Sequence, residues 1–155
     1  MRVFAFAGLA ALALGVSACA MNDKPAAPAT PPAPPASSQK WGEITVADQT
    51  LRRGNVIVVQ HVELTNGGFI VIHEMGPDGK PVAPANIGYR ALKPGDSNNV
   101  AIRLTKRVAK GSQLMAMLHD DTGKKGVYEF APGATNEDKP TVVNGAPVTK
   151  VFTIK

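Results

Sequence analysis

Residues 56–75, VIVVQHVELTNGGFIVIHEM, decide the fold class of this chain. Two runs rich in β-branched residues, 56–64 and 69–75, lie on either side of Asn66-Gly67-Gly68. β-branched side chains fit the half-buried surface of a sheet and favour strands. Asn-Gly is the strongest short signal for a hairpin, because both turn positions require positive φ. The stretch therefore predicts two antiparallel strands joined by a tight turn.

The same sequence pattern, which predicts short strands separated by turns, continues on both sides of this stretch. Residues 43–47 and 100–105 alternate apolar and polar side chains, which is typical of strands with one buried face. Residues 114–119, LMAMLH, and the closing segment 148–154 are also rich in apolar residues and are predicted to be strands.

Two further segments complete the predicted order. Residues 91–99 contain Pro94-Gly95 and are predicted to be a loop, and 126–130 is predicted to be a strand that pairs with 114–119. We therefore expect residues 41–155 to form an all-β domain without a helix. Its predicted architecture is an antiparallel immunoglobulin-like β-sandwich of seven or eight strands.

The order of several short segments resembles a known domain family. These segments are Asp48-Gln49, 68–73, Ile87-Gly88, 92–95, 114–121, 126–130 and Asp138-Lys139-Pro140. Over residues 43–155 they are similar to a domain of unknown function, numbered seven-two-eight-two, that occurs in secreted and surface-attached prokaryotic proteins. The resemblance implies a β-sandwich outside the cell, and it brings no activity to transfer to this chain.

The first residues have the layout of a secretory signal peptide. Met1 and Arg2 provide a positive start, residues 3–15 are apolar, and Ser17 and Ala18 are small. The apolar run is shorter than the ~20 residues that a membrane-spanning helix needs. Residues 1–18 are therefore predicted to be a signal peptide that directs the chain out of the cytoplasm.

Cys19, the single cysteine of the chain, follows this signal directly. Val16-Ser17-Ala18-Cys19 resembles the lipobox of bacterial lipoproteins, although that family usually has leucine where Val16 stands. The resemblance implies cleavage before Cys19, a diacylglyceryl thioether on its sulfur, and an acyl chain such as palmitate on the new amino terminus. Two or more such chains hold a protein firmly on a bilayer. The alternative is a stray cysteine in a signal peptide that is cut elsewhere.

A proline-rich segment separates this cysteine from the predicted domain. Residues 20–40, AMNDKPAAPATPPAPPASSQK, contain six of the 13 prolines and show no apolar periodicity. Such segments favour extended polyproline II at about 3.1 Å per residue. Residues 19–40 are therefore predicted to be a lipidated cysteine followed by a disordered tether. A proline-rich ligand for a partner domain is the alternative, but no basic residues flank 31–35.

Two histidines and three methionines are the best candidates for a functional site in this sequence. His73 and Met75 share one face of their strand, and Met115, Met117 and His119 share one face of theirs, because side chains alternate along a strand. Thioether and imidazole ligands suit copper, especially copper(I). If the two faces meet, the five residues form a metal site, and a periplasmic copper-binding or carrier protein is the alternative function. In the other interpretation the methionines fill the core and the histidines satisfy buried hydrogen bonds or lie at the surface.

Enzymatic chemistry has little support in the sequence. Ser97 and Ser112 are not in a G-x-S-x-G motif, and the glycines lie at turns rather than in a phosphate-binding loop. No catalytic residue and no resident cofactor is predicted, and His61, which lies among valines, is expected to be structural.

The charge is modest and the aromatic content is low. Basic groups occur at Arg52-Arg53, across 103–110 and at Lys124-Lys125. They suit contact with anionic lipid or polysaccharide at a cell envelope, and a solvated face without a partner is the alternative. Aromatic residues make up only 5% of the chain, which argues against a platform for single-stranded nucleic acid. No nucleic-acid partner is predicted.

These observations predict a membrane-anchored envelope lipoprotein whose folded part is a non-enzymatic binding or structural module. Its partners are expected to be the lipid bilayer, through acylated Cys19, and an envelope polymer or protein. Ala20 rather than aspartate follows the cysteine. By resemblance to enteric lipoproteins this implies the outer membrane in a Gram-negative host, facing the periplasm or the surface.

Overall fold

The computed structural model describes residues 41–134 and 136–155, so the predicted signal peptide, Cys19 and the tether lie outside the described residues. The described residues form nine strands and no helix. The strands are β1 (Gly42–Thr45), β2 (Val56–Leu64), β3 (Gly68–Glu74), β4 (Gly88–Leu92), β5 (Gly95–Arg103), β6 (Gln113–Asp120), β7 (Val142–Val143), β8 (Ala146–Pro147) and β9 (Thr149–Thr153). This part of the chain therefore has no helix that is long and apolar enough to cross a membrane.

Seven of these strands build two antiparallel sheets. The first sheet has the order β1-β2-β5 and the second has the order β4-β3-β6-β9, while β7 and β8 form a separate short ladder. After β1 the chain crosses to the second sheet, where Gln49 pairs in parallel with Ile154. The prediction of an all-β, antiparallel, immunoglobulin-like sandwich is confirmed. The fourth strand joins the second sheet here, whereas it joins the first in the constant-type immunoglobulin domain.

The hydrophobic core lies between the two sheets. Ile57 and Ile102 face it from the first sheet, and Ile70, Leu114 and Phe152 face it from the second, each at most 2% exposed. Burying a side chain of this size stabilises the fold by ~1.5–3 kcal/mol. All core residues belong to one compact unit that contains residues 41–155, which is called the domain below.

The predicted hairpin at Asn66-Gly67-Gly68 is wrong. β2 pairs with β1 and β5, and β3 pairs with β4 and β6, so this segment carries the chain from one sheet to the other. β3 is buried on both faces along nearly its whole length, and β2 is buried mainly on the face toward the core; each is a central strand with a neighbour on both sides. Gly68 is needed for a close approach rather than for a hairpin turn, since a Cβ there would lie 2.1 Å from the carbonyl oxygen of His119.

The prediction of a loop over 91–99 is also wrong. The chain turns at Lys93 and Pro94, but β4 ends at Leu92 and β5 begins at Gly95. Both are edge strands with mostly exposed side chains. Their sequences are therefore mostly polar, and this composition resembles that of a loop.

Residues 126–130 do not form the predicted strand. β9 pairs with β6 instead, in agreement with the strand predicted at 148–154. Tyr128 and Phe130 explain the apolar character of the misassigned segment, because both rings pack against His119 on the outer side of the second sheet.

Candidate functional site

Four of the five predicted metal ligands share the outer face of the second sheet. His73 lies opposite Met115 in the register of β3 and β6, and Met117 and His119 follow on the same face of β6. The alternate residues of the two strands face the core; they are Ile70, Ile72, Leu114, Ala116 and Leu118. Met75 lies beyond the end of β3, half-buried. The methionines of β6 are therefore not the core-facing set.

This outer face is buried although it points away from the core. His73 and His119 are both 0% exposed and Met117 is 6% exposed. The ring of Phe130 lies 5.1 Å from that of His119, and the ring of Tyr128 lies 5.4 Å from it. We call His73, Met117 and His119, with the two covering aromatic rings, the histidine pocket.

The two imidazoles of the pocket are neighbours with matching hydrogen bonds. Their ring centres are 5.8 Å apart and their planes differ by 27°. Nδ1 of His73 lies 2.7 Å from the carbonyl oxygen of Ala85, and Nδ1 of His119 lies 2.6 Å from that of Asp138. Because a carbonyl oxygen only accepts, each Nδ1 carries the proton and each Nε2 carries a lone pair. Neither Nε2 has a hydrogen-bond partner among the described residues.

Burial keeps both imidazoles neutral. Burial, with a smaller contribution from the neighbouring His73, lowers the pKa of His119 to about 4, against the opposing effects of the Asp138 carbonyl and of the Asp138 and Asp120 carboxylates. Burial also lowers the pKa of His73, against the carbonyls of Ala85 and Val82. The rings therefore meet the first condition for a metal ligand, a nitrogen that is free of a proton at neutral pH.

Asp138, which sequence reasoning did not single out as a functional residue, builds one wall of the pocket. Its carboxylate is 0% exposed and accepts hydrogen bonds from the backbone N–H of Thr122 at 2.9 Å and of Glu129 at 2.7 Å. The same residue offers its carbonyl to His119. The side chain of Asp138 thus fixes the segment that carries Tyr128, and its backbone carbonyl orients His119. Its only signal in the sequence is its place in the Asp138-Lys139-Pro140 segment of the family resemblance.

A basic cleft lies at one end of the domain. Its volume is about 780 Å³, and the β1–β2 and β5–β6 loops line it with Arg52, Arg53, Arg107 and Lys110. All four side chains are exposed, and none makes an ion pair with a described residue. The sequence shows these cations as separate groups, and only the fold brings them to one cleft.

His61 lies on the outer face of the first sheet rather than among the core valines, and Nδ1 lies 3.1 Å from the side-chain oxygen of Asn98; its structural role stays a prediction. The alternation of β2 shifts by one residue, because Val59 and Val62 both face the core. The partner strand has Asn99 at a φ of 52° at the same level. His61 consequently points outward, where Nε2 lies 3.4 Å from a carboxylate oxygen of Asp96.

The chain is similar to a known domain family and to two cell surface proteins. The model of a family described as "Domain of unknown function (DUF7282)" matches residues 42–155. "Cell surface glycoprotein 2" of Haloarcula hispanica is 34% identical over 106 residues, which are 68% of this chain and 10% of that protein. "Cell surface glycoprotein 1" of the same organism is 33% identical over 96 residues, 62% of this chain and 10% of that protein. The chain therefore spans about a tenth of the length of the curated relatives that it matches, and no solved structure matches it.

Proposed function

The chain belongs to the family of the domain of unknown function DUF7282, and on that premise we propose that it is a lipid-anchored module of the cell envelope that binds an anionic envelope polymer and catalyses no reaction. Its relatives bear the names of cell surface glycoproteins, which supports a place in the envelope or at the cell surface. The matched region is a small part of each relative, and this fits a module that serves a larger surface structure.

The basic cleft is the observation that carries the polymer part of the proposal. Arg52 and Arg53 come from one loop and Arg107 and Lys110 from another, so four cations from two loops converge on one concave surface that Lys155 also lines. Guanidinium groups pair with carboxylate or phosphate through two parallel hydrogen bonds. Several such groups on one surface raise the local concentration of a polyanion and orient it.

The test of polymer binding is affinity for an acidic polysaccharide, polygalacturonate, with neutral dextran as the reference. We expect the domain to bind the acidic polymer at low salt, to weaken as salt rises, and to ignore dextran. Arg53→Gln with Arg107→Gln should reduce the affinity at least tenfold. Lys93→Gln with Lys150→Gln removes the same net charge from exposed positions outside the cleft and should change the affinity less than twofold.

Two results would contradict polymer binding. Equal losses in the two double variants would mean that net charge alone is responsible and that the cleft has no special role. Binding to vesicles of phosphatidylglycerol without binding to polygalacturonate would identify the anionic partner as the membrane surface.

The anchor part of the proposal rests on Cys19. We expect the wild-type chain, expressed in a bacterial host, to incorporate labelled palmitate and to partition into detergent. Cys19→Ala should do neither, because it lacks the sulfur that accepts the diacylglyceryl group. A wild-type chain that never takes up palmitate would rule out the anchor and leave a plain secretory signal.

A further inference from the structure

We propose that His73, Met117 and His119 form a buried site for copper(I). This inference goes beyond binding of an envelope polymer, because the histidine pocket lies on the outer face of the second sheet and shares no residue with the basic cleft.

The two Nε2 atoms are buried acceptors without donors. Each belongs to a histidine that is 0% exposed, and each carries a lone pair without a hydrogen-bond partner among the described residues. A buried acceptor without a donor destabilises the folded state, so two of them in neighbouring rings are a substantial penalty. A cation that accepts both lone pairs removes this penalty.

The two rings are close and held on opposite sides of the β3–β6 pair. Nδ1 of His73 bonds to Ala85, on the β4 side of β3, and Nδ1 of His119 bonds to Asp138, which precedes the Pro140 bridge on the far side of β6. The ring centres are 5.8 Å apart and the planes differ by 27°. At ~2 Å per metal–nitrogen bond, this separation is short enough for one ion to bind a nitrogen of each ring.

The thioether of Met117 is the proposed third ligand. Met117 lies on the same face of β6 as His119, midway between His119 and Met115. Met115 is the residue that lies opposite His73 on β3. Its thioether is soft and uncharged, and soft thioether with imidazole favours copper(I) over the harder divalent ions.

The charge of the surroundings also favours a monovalent ion. The carboxylate of Asp138 is buried beside His119, and backbone N–H groups occupy both of its oxygens. The carboxylate of Asp120, the next residue after His119, accepts a hydrogen bond from the Thr141 hydroxyl. The three proposed ligands are all neutral and do not compensate a divalent charge in a buried site.

The hydrogen bonds of the pocket have the form that metal sites use. A ligating histidine usually donates its other N–H to a carbonyl or carboxylate, which fixes the tautomer and the ring orientation. Both histidines meet this condition. The cover of Tyr128 and Phe130 keeps water away from the ion.

The experiment is an anaerobic titration of the domain with copper(I) against the competing chelator bicinchoninate. The domain contains no cysteine, so no thiol interferes. We expect one copper(I) to bind with submicromolar affinity. X-ray absorption of the complex should report two nitrogen ligands and one sulfur ligand.

Three variants assign the ligands. Met117→Leu keeps the volume and should weaken binding at least tenfold, while Met115→Leu, two residues away on the same face, should not. His73→Asn keeps a donor for the Ala85 carbonyl and removes Nε2, so it should abolish submicromolar binding in a chain that remains folded by circular dichroism.

Several outcomes would overturn the proposal. The absence of wild-type binding tighter than micromolar would mean that the two imidazoles are structural. Undiminished binding in both Met117→Leu and His73→Asn would place the ion elsewhere, for example at His61. Zinc(II) bound as tightly as copper(I) would contradict the selection of a soft monovalent ion.

Discussion

The carboxylate of Asp138 should stabilise the wall of the histidine pocket, and Asp138→Asn tests this directly. Asp138 has a φ of 45°, in the left-handed region that asparagine tolerates best among non-glycine residues. The substitution therefore leaves the backbone unstrained and removes only the negative charge and one acceptor oxygen.

The expected loss follows from the hydrogen bonds. The carboxylate accepts from Thr122 at 2.9 Å and from Glu129 at 2.7 Å, through different oxygens. An asparagine keeps one acceptor and turns an NH₂ group toward the other backbone N–H, which is left without a partner. The loss of one charge-assisted bond predicts a decrease of about 1.5–3 kcal/mol in the free energy of unfolding. At roughly 4 °C per kcal/mol for a domain of this size, the melting temperature should fall by about 6–12 °C.

The assay is urea unfolding of the domain by circular dichroism, with scanning calorimetry for the melting temperature. Asp96→Asn is the control, since it removes the same charge at an exposed position and should change the stability by less than about 0.5 kcal/mol. If Asp138→Asn is as stable as this control, the carboxylate does not hold the segment and the account of the pocket wall is wrong.

Three further predictions concern stability. Burial lowers the pKa of His119 to about 4 and also lowers that of His73, so the unfolded chain binds protons that the folded chain does not. The free energy of unfolding should therefore be highest above pH ~6.5 and fall as the pH drops toward 4. A urea midpoint that stays constant across this range would contradict the neutral rings. Gly68→Ala should lower the free energy of unfolding by more than about 3 kcal/mol, because the new Cβ would collide with a carbonyl oxygen. Gly79→Ala, at a φ of 72° with nothing within 4 Å, should lower it by about 1 kcal/mol. Similar urea midpoints for the two variants would refute the close approach at Gly68. Deleting residues 20–40 should leave the melting temperature of the domain within about 1–2 °C, because the segment has no apolar face to bury, and a large drop would mean that it packs on the domain.

The local part of the structure could be predicted from the sequence. Runs of β-branched residues and period-two alternation are signals that involve only residues close together in the sequence. They are therefore enough to predict the strands β2, β3, β6 and β9 from side-chain stereochemistry and hydrophobicity. The same alternation placed Met115, Met117 and His119 on one face. The lipobox resemblance and the proline-rich segment likewise depend on short stretches of sequence, and they remain predictions.

The tertiary structure alone decided which strands pair and which face is covered. Asn66-Gly67-Gly68 is compatible locally with a hairpin, yet in the fold β2 pairs with β1 and β5 while β3 pairs with β4 and β6, so the two strands lie in different sheets. Alternation likewise defines two faces of β6 without saying which one meets the other sheet, because that choice depends on how both sheets together remove apolar surface from water.

The candidate sites depend on residues far apart in the chain. Arg53 and Arg107 reach one cleft, and Asp138 reaches His119, only because the sandwich brings distant loops together. Sequence patterns within one segment predict whether that segment forms a strand. The positions of these groups follow from contacts across the whole fold, where the free energy of burying the core outweighs what any one segment prefers.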